Sequence, residues 1–192
     1  MSRGTSVEAL DLLPIGPLAG ETLETVAARL SRHVDVSCHP LPPSPELPLP
    51  RLSGRDQLDA GALLATLEGL SRPDGRLLVG LTAADIAVPV FTFVFGLART
   101  GGRATIVSLA RVDPSFYGLH PDPALRDRRA VAEILHELGH LCGLEHCADR
   151  TCLMSFAGTI EKADARGERF CGTCERLVPP WLLGPTPLPE LV

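Results

Sequence analysis

The spacing of apolar positions predicts that strands alternate with helices along the first half of the chain. A short apolar run at residues 8–15 predicts a first strand, and residues 21–33 follow with apolar side chains at helical spacing. Residues 34–38 alternate as a strand does, residues 56–70 again fit a helix, and residues 76–81 fit a buried strand. A strand, a helix and a further strand in this order favour a parallel crossover.

The second half of the chain predicts a pair of strands and one long helix. Residues 91–98 and 104–112 are strand candidates, and Gly101 and Gly102 between them predict a hairpin-like turn. One strand of this pair should therefore run antiparallel to the rest. Asp122 and Pro123 predict a helix start, because Asp caps the first turn and Pro fits its first position. The apolar stripe of that helix consists of Val131, Ile134, Leu135, Leu138 and Cys142.

Two proline-rich segments interrupt and end this pattern. Residues 40–50 hold six prolines, which fit neither a helix interior nor a central strand. An extended surface loop is the prediction there, with a docking motif for a proline-reading domain as the alternative. The tail at residues 179–192 is also proline-rich and is predicted to be extended. A chain of 192 residues can bury one core, so we expect a single domain, residues 1–192.

The composition is that of a globular protein, with 45% hydrophobic and 21% charged residues. The net charge of −5 and the scattered arginines argue against a nucleic-acid partner. No apolar run of signal-peptide length follows Met1, and no segment reaches the roughly 20 apolar residues that a membrane span needs. We therefore expect a cytoplasmic monomer with neither a nucleic-acid nor a membrane partner.

The most informative stretch lies at the end of the long helix. His136 and His140 are four residues apart, so both rings project from one face and can share one metal ion. Glu137 can reach a water on that ion without being a ligand. Gly143 tolerates the left-handed conformation that ends a helix, so the chain can return and bring His146 to a third position. The alternative, histidines on a polar surface, does not explain Gly143 and His146 at this spacing.

Four of the six cysteines form two close pairs, which is typical of a thiolate zinc site. These are Cys147, Cys152, Cys171 and Cys174. A redox dithiol formed by Cys171 and Cys174 is the alternative, but it leaves the first pair unexplained. Cys38 and Cys142 are interpreted as small buried side chains. Because Cys147 directly follows His146, a zinc ion on the thiolates would also hold the loop with the third histidine.

Two further residues have a functional and an ordinary interpretation. Met154 can form a floor beneath the histidines or simply pack in the core. Tyr117, the only tyrosine, can assist a developing oxyanion or pack in its own turn.

The string from His136 through Met154, followed by Cys171 and Cys174, resembles the archaemetzincins, a branch of the metzincin clan of metallopeptidases. A weaker resemblance extends the match to most of residues 76–180. It implies an α+β fold of the metzincin (zincin) type in one domain. That fold has a twisted, mostly parallel sheet with one antiparallel edge strand, an active-site helix and a C-terminal zinc-bound subdomain.

The same resemblance implies two zinc ions per chain, a catalytic one on three histidines and a structural one on four cysteines. It places Met154 under the catalytic metal and makes residues 93–98 the edge strand of the cleft, where an extended peptide can pair. The gap between Met154 and Cys171 is slightly shorter than in the family, which affects only the local loop.

These residues together predict a zinc-dependent metallopeptidase that acts on a peptide or protein substrate. Zinc would lower the pKa of its bound water towards about 7 and polarise the scissile carbonyl. Glu137 would take the proton of that water and pass it to the leaving amine. Two alternatives use the same ligands: a non-catalytic, zinc-stabilised peptide-binding module, and a redox-sensing zinc protein.

Overall fold

The computed structural model describes residues 7–184. Its strands are β1 (Ala9–Ile15), β2 (Ser37–Pro40), β3 (Leu58–Asp59), β4 (Arg76–Thr82), β5 (Ile86–Ala87), β6 (Gly96–Ala98) and β7 (Ala104–Ser108). Its helices are α1 (Gly20–Leu30), α2 (Ala60–Leu70), α3 (Pro123–Leu141), α4 (Ile160–Ala165) and α5 (Gly172–Glu175). Short 3-10 turns occur at Pro114–Tyr117 and Pro180–Leu182.

Five strands form the main sheet, in the order β2-β1-β4-β7-β6. β1 pairs in parallel with both β2 and β4, so that Ala9 lies opposite Ser37 on one side and Arg76 on the other. β7 is parallel to β4, whereas β6 runs antiparallel to β7 with Leu97 opposite Ile106. The prediction of an α+β fold with a mostly parallel sheet and one antiparallel edge strand is confirmed.

Helices cover both faces of the sheet, which explains why its central strands are continuous apolar runs. Every residue of β7 is buried, as is every residue of β4 after Arg76. Helices α1 and α3 pack into the larger apolar core on one face, and α2 packs into a smaller core on the other. Since α3 contacts both β6 and β7, the helix with the histidines lies directly against the edge of the sheet.

Two predicted strands are shorter in the structure. Of residues 91–98 only β6 is a strand, because the chain before it turns and the Phe91 amide donates to the Val88 carbonyl (3.1 Å). The strand predicted to reach residue 112 ends instead with β7. There the Ser108 hydroxyl accepts from the Ala110 amide (3.1 Å), which gives the backbone a local partner in place of the ladder.

Two further predicted bounds are shifted. The strand predicted at residues 34–38 is wrong over its first half. β2 instead continues to Pro40, which is tolerated because β2 is at the edge of the sheet. Helix α2 begins at Ala60 and not at residue 56. Its start is fixed by Asp59, whose side chain accepts from the Ala62 amide (3.0 Å).

Residues 41–50 form an irregular connection between β2 and β3. Part of the proline-rich tail forms the 3-10 turn at Pro180–Leu182, and residues 185–192 lie outside the described residues. Across residues 7–184, none of the helices combines the length and apolarity needed to cross a bilayer. The cytoplasmic location stays a prediction.

Candidate active site

Helix α3 carries the first two histidines on its last turns. Its start is fixed as predicted, with Pro123 in the first turn and the Asp122 side chain accepting from the Leu125 amide (2.9 Å). The apolar stripe of α3 is buried in the larger core, which fixes the rotation of the helix about its axis. His136 and His140 therefore face the same side, with ring centroids 4.7 Å apart.

Gly143 reverses the chain after α3. Its φ of 97° lies in the left-handed region that favours glycine, and its amide donates to the His140 carbonyl (3.0 Å). The returning chain brings the His146 ring to 5.4 Å from the His136 ring and 4.9 Å from the His140 ring, measured between centroids. One ligand atom from each of the three histidines lies within 4.8 Å of the others.

The orientation of two rings is set by backbone carbonyls. His136 Nδ1 lies 2.8 Å from the Leu153 carbonyl oxygen, and His140 Nδ1 lies 2.7 Å from that of Leu144. Because a carbonyl can only accept, both Nδ1 atoms carry hydrogen and both neutral rings present an Nε2 lone pair. These two Nε2 atoms are 3.1 Å apart, a convergence of lone pairs that a shared cation stabilises. Burial lowers the pKa of His136 to about 4, which keeps its ring neutral, as a metal ligand requires.

Glu137 lies beside the histidines with only 4% of its surface exposed. Burial raises its pKa well above the ordinary value, the neighbouring Glu133 raises it further, and Arg166 opposes the rise. Gly96 of β6 lies against Glu137, and a Cβ at residue 96 would be 2.7 Å from Glu137 Cγ and 2.8 Å from Oε1. The space for the carboxylate therefore depends on the absence of a side chain at residue 96.

A buried ion pair, which the sequence pattern does not predict, lies next to Glu137. Arg166 Nη2 donates to Glu133, and the two side chains are only 4% and 7% exposed. Arg166 Nη1 also lies 3.2 Å from His136 Nδ1, but that nitrogen already donates to the Leu153 carbonyl. Arg166 Nε has no hydrogen-bond partner within the described part of the chain. Glu133, one helical turn before Glu137, could have been noticed on the buried side of α3, whereas no local pattern marks Arg166.

Met154 lies under the turn of α3 that carries the histidines and is fully buried. The close approach depends on Gly139, since a Cβ there would overlap the Met154 sulfur. The Met154 carbonyl also accepts from the Cys147 amide (2.9 Å). Met154 therefore connects the underside of the helix to the segment that carries His146.

The four predicted cysteines form a second cluster, with all Sγ atoms within 4.8 Å of one another. The Sγ atoms of Cys147 and Cys171 are 3.8 Å apart. Four thiolates at about 2.3 Å around a tetrahedral zinc ion would be separated by about 3.8 Å. The amides of Met154 and Cys171 donate to Cys152 Sγ at 3.4 and 3.2 Å. The amide of Cys174 lowers the pKa of Cys171 to about 7. The donor set and its spacing fit one zinc ion.

A cleft with a volume of about 380 Å³ opens onto the three histidines and Glu137. Its wall opposite α3 is the segment that ends in β6, the edge strand. At the rim, the Phe156 ring lies 5.2 Å from the His146 ring, measured between centroids. Most of the remaining lining is apolar and consists of Phe91, Phe93, Val94, Phe95, Leu97, Ala98 and Ala157.

The structure does not bring Tyr117 to the cleft. Its hydroxyl donates to the Arg111 carbonyl (3.0 Å), and Tyr117 is not among the residues that line the cavity. Its ring contacts that of Phe116 within the 3-10 turn, with centroids 5.2 Å apart. Tyr117 is therefore not placed where it could assist an oxyanion at the histidines, and packing in its own turn is the interpretation that the contacts favour.

A cation position made by three histidines next to a buried carboxylate is the arrangement of a zinc-dependent metallopeptidase. Comparison with known proteins leads to the same class. The sequence model of the family described as "Peptidase family M54" matches residues 55–179. The chain belongs to this family, and its curated relatives carry the name archaemetzincin.

The similar proteins match different shares of the chain. An archaemetzincin from Methanopyrus kandleri is 45% identical over 124 residues, which are 65% of this chain and 67% of the relative. One from Haloquadratum walsbyi is 31% identical over 175 residues, covering 88% of this chain and 98% of the relative. The solved structure of a zinc-dependent peptidase from Methanocorpusculum labreanum matches with a TM-score of 0.78 at 26% identity, covering 88% of this chain and 98% of that one.

Proposed function

We propose that this chain hydrolyses peptide bonds, with zinc on His136, His140 and His146 and with Glu137 as the general base. The observation that carries the proposal is the orientation of the histidine rings. Backbone carbonyls hold both Nδ1 atoms of the α3 pair, so that the two Nε2 atoms converge beside Glu137. Neutral imidazoles that are oriented in this way by second partners are typical of metal ligands and not of a polar surface.

The chemistry divides between the ion and the protein. When bound, zinc supplies Lewis acidity, which polarises the scissile carbonyl and makes water a nucleophile near neutral pH. Glu137 accepts the proton of the attacking water and donates it to the leaving amine. The apolar walls exclude bulk water and so strengthen the electrostatic interactions in the cleft.

The substrate is proposed to be an extended peptide that lies along β6. This strand ends the sheet order, so its outer side can accept a further strand through backbone hydrogen bonds. The apolar lining of the cleft favours apolar side chains near the scissile bond. Phe91 and Phe156, which are 54% and 59% exposed at the rim, extend this apolar contact. A monomer suffices for this arrangement, because one chain supplies both walls.

A second, structural zinc is proposed on Cys147, Cys152, Cys171 and Cys174. Four thiolates close the coordination sphere and leave no position for water. Since Cys147 follows His146, this ion would hold the loop that presents the third histidine. A redox-sensing role of the same thiols has less support, because all four sulfurs converge on one point and not as two separate pairs.

Glu137 also favours an enzyme over a peptide-binding module. A buried carboxylate beside three metal ligands costs free energy through desolvation. A module that only binds peptides gains nothing in return for that cost. Arg166 and Glu133, which lie next to Glu137, are likewise buried, so the charged groups below the cleft form one connected cluster.

The test is Glu137→Gln in the zinc-loaded protein. We expect unchanged zinc content and thermal stability but a loss of at least about hundredfold in the hydrolysis of a quenched-fluorescent peptide library. Glu145→Gln is the matched control, because Glu145 is an exposed carboxylate in the same motif, and it should keep the wild-type rate. Wild-type hydrolysis by the Glu137 variant would end the general-base assignment. Peptide binding by the wild type without any cleavage would favour the binding module.

A further inference from the structure

The first part of the cleft wall lies outside the sheet. Residues 91–95, called the wall segment below, line the cavity, but the ladder with β7 covers only Gly96–Ala98. The end of the wall segment is fixed by the Ser108 amide, which donates to the Phe95 carbonyl (2.8 Å). Two further backbone bonds hold the segment, from the Val94 amide to the Ile86 carbonyl (3.1 Å) and from the Phe91 amide to the Val88 carbonyl (3.1 Å). They leave the Phe91 and Thr92 carbonyls and the Phe93 ring to be held by side chains from elsewhere in the chain.

Arg111 stacks on an aromatic side chain of the wall segment. Its guanidinium carbon lies 4.1 Å from the centroid of the Phe93 ring and 4.7 Å from that of Phe116. Its Nε and Nη2 donate to the two carboxylate oxygens of Asp85, both at 2.8 Å. The two-point pairing fixes the plane of the guanidinium and so orients it for stacking on the aromatic ring.

A second set of hydrogen bonds ties the same carboxylate to the wall backbone. Gln57 Nε2 donates both to Asp85 Oδ2 (2.9 Å) and to the Thr92 carbonyl (2.8 Å). Arg55 Nη1 donates to the Phe91 carbonyl (2.7 Å). Asp85 is thus the centre of a polar network behind the wall, and the network contacts the wall at both its backbone and its aromatic side chains.

We propose that Arg111 is a positioning residue for peptide binding: paired with Asp85, it fixes Phe93 and with it the wall segment. This inference rests on the proposed function, in which the cleft holds a peptide. Arg111 does not itself line the cavity, so it acts through Phe93. Its side chain and that of Asp85 are 22% and 20% exposed, so the pair is shielded from solvent more than an ordinary surface ion pair.

The effect should be on substrate binding and not on the chemical step. For Arg111→Gln we expect KM to rise about tenfold while kcat stays within about twofold of the wild type. Arg111→Lys should recover part of the loss, because it keeps the charge but not the planar fork. Phe93→Leu keeps the Arg111–Asp85 pair and removes the stacking, so it should also raise KM.

The matched control is Arg76→Gln. Arg76 forms its own two-point pair with Asp11, between β1 and β4 and outside the residues that line the cleft. The Arg76→Gln substitution should lower thermal stability to an extent comparable with Arg111→Gln but leave KM unchanged. Equal KM values in the wild type and the Arg111 variant would overturn the inference, as would a rise in KM of the same size in the Arg76 variant.

A second measurement needs no substrate. Hydrogen exchange of a fragment covering residues 88–98 should be faster in Arg111→Gln than in the wild type, while a fragment covering β4 should be unchanged. If the wild type cleaves no peptide, the proposed function fails, and exchange still decides whether Arg111 holds the wall. Unchanged exchange at residues 88–98 would refute the positioning role whatever the activity.

Discussion

Gly96→Ala should slow hydrolysis without removing zinc, because the added methyl group needs the space that Glu137 occupies. A Cβ at residue 96 would lie 2.7 Å from Glu137 Cγ, 2.8 Å from Oε1 and 3.0 Å from Cδ. Ordinary contacts between carbon atoms begin at about 3.5 Å, so one partner must move by roughly 0.5–1 Å. β6 is held by its ladder with β7, and we therefore expect the Glu137 side chain to move.

The size of the effect follows from this displacement. Misplacing a reacting group by about 1 Å can cost about hundredfold in rate, so kcat should fall by about 10- to 100-fold. Overpacking costs about 1–3 kcal/mol of unfolding free energy, and about 0.4–1 kcal/mol is regained because alanine restricts the unfolded chain. The nearest atoms to the new methyl group belong to Glu137 and not to a histidine, so the zinc content should not change.

The assay combines kcat and KM on the best-cleaved library peptide with metal analysis and thermal unfolding. Gly69→Ala is the control, since a Cβ at residue 69 of α2 would meet nothing within 4 Å. Gly96→Ala should also be combined with Glu137→Gln. Both changes act on the same carboxylate, so the double variant should be no slower than Glu137→Gln alone.

A wild-type kcat in Gly96→Ala would show that the carboxylate position is not critical for the reaction. A further tenfold loss in the Glu137→Gln background would show that residue 96 acts by another route, for example on the seating of the peptide along β6.

Two other predictions concern the cysteines. Cys152→Ala should lower the melting temperature and also weaken zinc binding at the histidines, because Cys147 and His146 share one loop. If metal analysis shows that the variant keeps the zinc ion at the histidines, and its peptidase activity is unchanged, this coupling is refuted. Burial raises the pKa of Cys38 and of Cys142 from 9.0 to about 11, so their stabilising effect is full below pH 9 and is lost as pH rises through 11. Calorimetry should therefore show a steeper loss of stability between pH 9 and 11 in the wild type than in a variant with both cysteines changed to serine, and parallel curves would contradict the assignment.

The convergence of the three histidines could be predicted because their geometry depends on local spacing. His136 and His140 share a face of α3 because four residues make about one helical turn. Gly143 was expected to take a left-handed conformation, and its φ is 97°. The start of α3 at Asp122 could be predicted for the same reason, since a helix N-cap is a contact between residues that are close in sequence.

The ends of the strands were harder to predict, because a strand is defined by its hydrogen bonds to neighbouring strands that are distant in sequence. Residues 91–94 are as apolar as a strand, but they lie outside the ladder with β7. The Val94 amide donates to the Ile86 carbonyl, and the residues before it are contacted by the side chains of Arg111, Gln57 and Arg55. Apolar composition predicts that a segment is buried. It does not predict whether the segment is hydrogen-bonded to a neighbouring strand or packed against side chains.

The amino-acid order therefore specifies which three histidines converge, which carboxylate lies beside them and which turn brings the third histidine back, since each depends on neighbours within a few residues. The tertiary contacts that surround these groups form only when the chain is folded. Arg166 meets Glu133 across 33 residues, Arg111 meets Asp85 across 26, and Gly96 meets Glu137 between a strand and a helix. Such contacts follow no spacing rule, because each joins segments that only the tertiary packing brings together.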